Sequence, residues 1–529
     1  MFKCSMRLRP LLGCWQSFQL AYSKVAILVG NMSNQATSLK RRVIRGLGGP
    51  WGWRVVVALF LLEALWFVFS ARYPMAFDEN YHFGLIKLHA AQWLPYFTSQ
   101  PPNASAYGAV VREPSYLYHW LMSFPYRLIS VFTHSQTALV ICLRLLNVAM
   151  FSYGLVLSRR VVQIMGVSRA LANCLFAMFV LIPVVPFLAA HINYDNMFFV
   201  AVSATALLAL RLMDEFKRRE VNARTLLELA AVLLLSSLVK YPYLPVLMVT
   251  LALVGWQLRA SGLFGRAGLR AFQQSFQAVS KVTSVSLVLL CLLSFGLFAE
   301  RYVGNMVRYH NPVPACDVVI SEDECSQYGP YGRDRLDIKA KPASFHPSPA
   351  VYIWQWVYGM WYRLFFAINY DYTTAPPLLV ISVLAVAGAA FVLVGVVLRF
   401  RALFASQPTR QFVLLLIIGY TLTLFLDGFR SYARTGQPVA INGRYLIPFL
   451  PFLFAFGGLA WSQLLRQRES YKLAVASAVL AVLVLQGGGT MTYIVRSQDS
   501  WFWPNSAVVR VNRAVRSMAW PLIVGKKIW

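Results

Sequence analysis

The chain has 529 residues, 58% of them hydrophobic and 13% charged, with a mean hydropathy of +0.55. Soluble domains carry roughly 45–50% apolar and roughly 25% charged residues, so an ordinary soluble enzyme is excluded, as is a disordered chain; a polytopic membrane protein remains. The net charge of +29 comes from basic residues in short clusters between apolar runs, which is how cytoplasmic loops are marked, not from a basic face for nucleic acid.

Residues 1–52 read as a basic cytoplasmic tail containing Lys40, Arg41, Arg42 and Arg45. They lack signal-peptide anatomy, and a start at Met32 would remove nothing with a structural reading. Residues 53–490 read as one transmembrane domain and 491–529 as a short extracytoplasmic segment. A spanning helix needs roughly 20 apolar residues. Runs of that kind predict spans near 53–72, 139–158, 169–190, 195–212, 225–240, 242–257, 282–300, 375–398, 411–427, 445–464 and 473–490, about eleven in all. The fold class expected is therefore all-α, a polytopic helical bundle.

With the N-terminus inside, the inner loops hold Arg159, Arg160 and Arg169; Lys217, Arg218, Arg219 and Arg224; Arg259, Arg266 and Arg270; Arg399, Arg401 and Arg410; and Arg466, Arg468 and Lys472. Each is short and basic, as the positive-inside rule requires. The outer side receives segments 73–138, 301–374 and 428–443, and every histidine falls there or at its boundary. Residues 80–92, 114–131 and 350–370 are amphipathic and aromatic-rich, the pattern of helices lying along an interface. Aqueous chemistry is expected on this face.

The first chemical constellation is Asp78-Glu79-Asn80-Tyr81-His82, directly after the first span. Paired carboxylates at a membrane boundary are costly. They can supply a general base or oxygens for a divalent cation; a helix cap is the structural alternative. Arg112, ahead of Pro114-Ser115-Tyr116-Leu117-Tyr118-His119-Trp120, can grip a phosphate or sit solvated in an aromatic belt. Asp195, in His191-Ile192-Asn193-Tyr194-Asp195-Asn196, either faces a wet cavity or caps a helix. Lys240 either binds an anionic headgroup or snorkels. Arg444, in Asn442-Gly443-Arg444-Tyr445, opens a span from outside, where a basic residue needs a reason; a lipid-linked phosphate is one. Cys316 and Cys325 are disulfide candidates in an oxidising compartment, within a loop that otherwise reads as solvated. No Walker A, HExxH or GxSxG pattern occurs. Asn31 and Asn103 sit in NxS sequons.

Taken in order, Asp78-Glu79, Pro114 to Trp120, Arg144-Leu145-Leu146-Asn147, Asn193-Tyr194-Asp195, Lys240-Tyr241 and Gly443-Arg444-Tyr445 with Pro448 and Pro451 resemble integral-membrane glycosyltransferases of the GT-C fold. That group includes protein O-mannosyltransferases, aminoarabinose transferases and a bacterial branch that this set also resembles. The resemblance implies a multi-pass protein of a bacterial plasma membrane. It also implies transfer of a sugar from a polyprenyl-phosphate donor, at the outer face, to a lipid, glycan or protein acceptor. Carried over by position, it makes Asp78 the base, or the metal holder where a divalent cation is used, with Glu79 beside it. Asp195 falls at the second acidic position, His82 supports, and Arg112, Lys240, Arg444 and Tyr445 bind donor phosphate. Asn196 departs from a paired-acid site, and the C-terminal segment is too short to be a large soluble domain. Rival readings are a flippase for lipid-linked sugars, a glycan polymerase or ligase, and a non-catalytic scaffold.

Overall fold

A computed structural model describes residues 46–76, 78–365, 368–370, 373–375, 379–439, 441–465, 499–504 and 506–524. The first part of the basic tail, the span expected at 473–490 and the ends of the C-terminal segment lie outside the described residues.

The first expected span is α1 (Pro50–Ser70), which opens with a proline in its first turn, where the missing N–H costs nothing. A short helix α2 (Glu79–His89) and the amphipathic α3 (Leu117–Phe132) follow in segment 73–138. Next come α4 (Gln136–Ile164), α5 (Arg169–Val180), α6 (Val184–Ala189), α7 (Asp195–Lys217), α8 (Ala223–Val239), α9 (Leu244–Ala260), α10 (Arg266–Ala278) and α11 (Lys281–Phe298). Side chains of Ser168, Asn222 and Ser280 accept backbone N–H groups at the starts of α5, α8 and α11, which satisfies donors that a helix end leaves open.

The segment expected outside, 301–374, carries α12 (Gly304–Tyr309), α13 (Cys316–Val319), α14 (Glu322–Ser326), α15 (Gly329–Ala340) and α16 (Pro349–Phe365). It also holds an antiparallel pair, β1 (Ile368–Tyr370) with β2 (Thr373–Ala375), in register Ile368 to Ala375. The helices α17 (Leu379–Leu398), α18 (Phe400–Phe404), α19 (Pro408–Thr435), α20 (Leu450–Leu464) and α21 (Ser506–Val524) complete the chain.

Among the described residues, six helical stretches are long and apolar enough to cross a membrane: Pro50–Ser70, Gln136–Ile164, Asp195–Lys217, Tyr241–Ala260, Lys281–Tyr309 and Pro408–Thr435. Shorter apolar helices accompany them, so the chain is a polytopic helical membrane protein. Two expectations change. The span expected at 169–190 is two helices, because Pro183 and Pro186 fall inside it and proline interrupts the helical ladder. The outer hairpin expected at 428–443 begins later, because α19 runs on to Thr435. It stops at Gly436, whose φ of 77° is left-handed and whose N–H bonds to the Tyr432 carbonyl at 2.8 Å, a glycine C-terminal stop.

Lipid is as apolar as leucine, so helices associate here by packing rather than by escape from water. The span of α7 is 72% buried and lies at the centre of the bundle, whereas that of α11 is 11% buried and lies at the edge. Phe151 of α4 stacks on Phe60 of α1 at 5.4 Å and meets Phe199 of α7 at 4.6 Å. At the end of the bundle expected to face inward, Arg159 bonds Asn173, Asn173 bonds the Leu47 carbonyl, and Arg410 bonds the Met165 carbonyl. The opposite end gathers the α1–α2 turn, the α6–α7 and α8–α9 junctions and the turn before α20. The C-terminal segment docks at this end as well: Phe502 bridges Ala71, and the Trp503 N–H bonds the Ser70 carbonyl.

Candidate active site

Four charged side chains meet at that end. The Arg444 guanidinium donates to Asp78 Oδ2 at 3.0 Å and lies 3.5 Å from Asp195 Oδ2. Lys240 Nζ donates to Asp195 Oδ1 at 2.5 Å. Arg444, Asp195 and Lys240 are buried, while the Asp78 side chain is 66% exposed. Asp78 is therefore the one carboxylate of the group that a molecule in solvent can reach directly.

These contacts bear on the cap and snorkel readings left open by the sequence. Asp78 occupies the residue before α2 in a left-handed conformation, φ 63°, and makes no side-chain cap bond. Aspartate tolerates that region better than most residues. Asp195 is the first residue of α7 and does not cap it; its carboxylate goes to Lys240 and toward Arg444. Lys240 does not snorkel, since its side chain is 5% exposed and bound to Asp195. Each buried charge has an opposite partner, as burial demands. Asp195 Oδ2 nevertheless accepts no hydrogen bond among the described residues.

Aromatic rings close the cage. Lys240 Nζ lies 4.6 Å from the Tyr194 ring, 4.5 Å from that of Tyr445 and 5.6 Å from that of Phe198, all within cation–π range. Arg444 sits 5.3 Å from the Tyr445 ring. The Gly-Arg-Tyr sequence now has a steric reason. A Cβ on Gly443 would fall 2.3 Å from the Met360 carbonyl and 2.5 Å from Leu364 Cβ, so only glycine lets α16 pack against the turn that aims Arg444.

His82 stands beside this group. Its ring meets Tyr194 edge-on at 4.6 Å, and its Nδ1 shares a 2.8 Å hydrogen bond with His119 Nε2. Burial first, then the positive charges of Arg444 and Lys240, hold His82 well below the usual histidine range. Burial and the neighbouring His82 do the same to His119. Two neutral imidazoles, one donating and one accepting, fit the bond between them.

Glu79 is placed differently from Asp78. It is fully buried and grips Arg144 in a two-pronged pair, Nε to Oε1 at 2.8 Å and Nη2 to Oε2 at 2.7 Å. The Met75 and Ile192 N–H groups donate to the same carboxylate, and Arg144 Nη1 donates to the Ala71 carbonyl at 2.6 Å. Burial pushes the Glu79 carboxyl up, but Arg144 outweighs it and the group lies below its usual range. The pair thus nails the turn carrying Asp78 to α4. Asn196 is similarly structural: its Nδ2 donates to Asn147 Oδ1, to the Leu188 carbonyl and to the His191 carbonyl, while Tyr118 OH donates to the same Asn147 oxygen.

Arg112 is not solvated. It is 4% exposed and donates to Glu300 at 2.9 Å and to the Phe97 carbonyl at 2.7 Å. With Arg301, which donates to the Val111 and Tyr96 carbonyls, it fastens segment 73–138 to the end of α11. Cys316 and Cys325 are joined in a disulfide. Just beyond it, the Tyr328 ring lies 6.0 Å from that of Tyr81, so segment 301–374 meets segment 73–138 there. Asp78 and Glu79 do not offer a joint oxygen set, since Glu79 is committed to Arg144. Among the described residues no group of three or more His, Cys, Asp or Glu is placed to hold a metal ion.

Sequence reasoning passed over Arg144, Asn147, His119, Tyr194 and Tyr328 as site residues. Arg144 and Asn147 carried a usable signal, polar side chains inside an apolar run. Tyr328 carried none, because its partner is far away in the chain.

No protein-family model matches the chain, and no curated protein matches it. Two solved structures are similar: ArnT from Cupriavidus metallidurans in the apo state, with 14% identity, and the same protein bound to undecaprenyl phosphate, with 15% identity. The matches cover 89% and 90% of this chain and 75% and 76% of theirs, each at a TM-score of 0.42.

Proposed function

We propose that the chain is an integral-membrane glycosyltransferase that moves a sugar from a polyprenyl-phosphate donor to an acceptor hydroxyl on the extracytoplasmic side. The observation that carries this reading is the sharing of Arg444 between a reachable carboxylate, Asp78, and a buried one, Asp195, with Lys240 caged alongside. Opposite charges held this close at the end of a helical bundle suit a reaction that removes a proton and releases an anionic phosphate.

In this mechanism the donor phosphate competes with Asp78 for the Arg444 guanidinium, which frees Asp78 to act as base. The acceptor O–H gives its proton to the Asp78 carboxylate while its oxygen bonds the anomeric carbon. The bond from that carbon to the phosphate oxygen breaks through an oxocarbenium-like state, and its electron pair leaves with the polyprenyl phosphate. Arg444 and Lys240 neutralise the leaving group; removing one such preorganised donor typically costs about 10²–10³ in rate. Asp195 Oδ2, buried without a hydrogen bond, is available to a substrate hydroxyl. Glu79, with Arg144, positions Asp78, and His82 packs the aromatic wall. The basic inner loops at the far end of the bundle favour the outer face for this site.

The test uses full-length protein in nanodiscs, membrane extract as acceptor and a panel of labelled polyprenyl-phosphate sugars. Transfer by wild type and not by a folded Asp78→Asn variant supports the assignment. Full transfer by that variant removes Asp78 as base.

A further inference from the structure

At the opposite end of the bundle, a crevice of about 520 Å³ opens where α10 folds back on the start of α11. Its walls include Phe276, Val285, Val288 and Leu289, and Lys281 and Ser284 also line it. Helix α10 buries none of its residues; it exposes Arg266 and Arg270 as well as Leu269, the character of a helix lying in a membrane interface. From the crevice, Val282, Val285, Leu289 and Leu292 form an exposed stripe along α11, each at least 58% exposed.

Two features separate this crevice from an ordinary lipid-facing surface. Ser284 is 7% exposed, and its Oγ has no hydrogen-bond partner, although buried hydroxyls nearly always find one. Lys281 is exposed at the positive end of an 18-residue helix and makes no ion pair or hydrogen bond among the described residues. Between Glu228 and Glu300 the chain has no acidic residue, yet Arg259, Arg266, Arg270 and Lys281 all fall there.

We propose that this crevice binds one anionic glycerophospholipid, with its phosphate on Lys281 and Ser284 and an acyl chain along the α11 stripe. A free anion would leave the apolar walls unused, and a neutral lipid would leave Lys281 without a counter-charge. The site lies at the basic, inner end, where an anionic leaflet would supply the ligand.

The test uses full-length protein purified in an uncharged detergent. Phosphatidylglycerol and phosphatidylcholine are titrated in, and bound lipid is counted by native mass spectrometry. Wild type should retain one phosphatidylglycerol in preference to phosphatidylcholine. Lys281→Gln should weaken that binding about fivefold, the effect of one basic residue at an anionic surface. Val288→Trp, which fills the crevice, should weaken it at least as much. Arg401→Gln, at the same basic end but away from the crevice, should leave it unchanged, and the melting temperature in phosphatidylcholine should be the same for all. Undiminished binding in Val288→Trp, or equal losses in Lys281→Gln and Arg401→Gln, would reduce the binding to general charge attraction and overturn the proposal.

Discussion

Replacing Glu79 by Ala would leave the Arg144 guanidinium, which is fully buried, with the Val68 and Ala71 carbonyls as its hydrogen-bond acceptors among the described residues and no carboxylate. Stranding one member of a buried pair costs about 3–5 kcal/mol, whereas exchanging both for apolar groups of similar volume is often nearly neutral. Glu79→Ala should therefore lower unfolding free energy by about 3–5 kcal/mol, and Glu79→Leu with Arg144→Met should recover most of that loss. Unfolding in mixed micelles, titrated with a denaturing detergent, reads the three proteins on one scale. Sugar transfer should stay low in the double variant although it is stable, because nothing then nails the Asp78 turn to α4. A loss below about 1 kcal/mol in Glu79→Ala, or no recovery in the double variant, would contradict the buried-pair account. Wild-type transfer by the double variant would contradict the positioning role.

Further outcomes follow from the same contacts. Arg444→Lys keeps a charge but loses the planar fork, and kcat/KM for the donor should fall about 10²–10³. Asn196→Asp removes the Nδ2 donor that three acceptors use and buries a charge, so it should destabilise by about 3 kcal/mol or more, read by the same unfolding titration. Burial, then Arg301, lowers the His89 pKa from 6.5 to about 4. The unfolded chain binds its proton first, so this stability is complete above pH 6.5 and is lost as pH falls from there toward about 4. His89→Asn should flatten that part of the stability profile, and an unchanged profile would show that His89 is not the group titrating.

Much of the scaffold was legible because membrane helices must satisfy their own backbone and so appear as uninterrupted apolar runs. Each expected span from 53 to 464 contains a helix, although prolines divide the one at 169–190. The orientation read from Arg and Lys placed Asp78, Asp195, Lys240 and Arg444 on one side, and the structure brings them to one end of the bundle. What could not be read was partnership. Asp78 and Arg444 lie 366 positions apart, and no local pattern distinguishes an aspartate that caps a helix from one that reaches across the bundle. Glu79 and Asp78 look alike in sequence, yet one is sealed against Arg144 and the other is open. The disulfide was suggested by two nearby cysteines, but the approach of Tyr328 to Tyr81 depends on two loops meeting in space.

The most direct measurement follows the lipid product. Purified protein in nanodiscs receives a sugar-loaded polyprenyl phosphate and acceptor extract, and free polyprenyl phosphate is quantified by mass spectrometry. The proposed mechanism requires its release with wild type, dependence on the extract, and loss in both Asp78→Asn and Arg444→Gln. Donor that binds and crosses a bilayer without ever releasing polyprenyl phosphate would contradict it and make the protein a carrier of lipid-linked sugar.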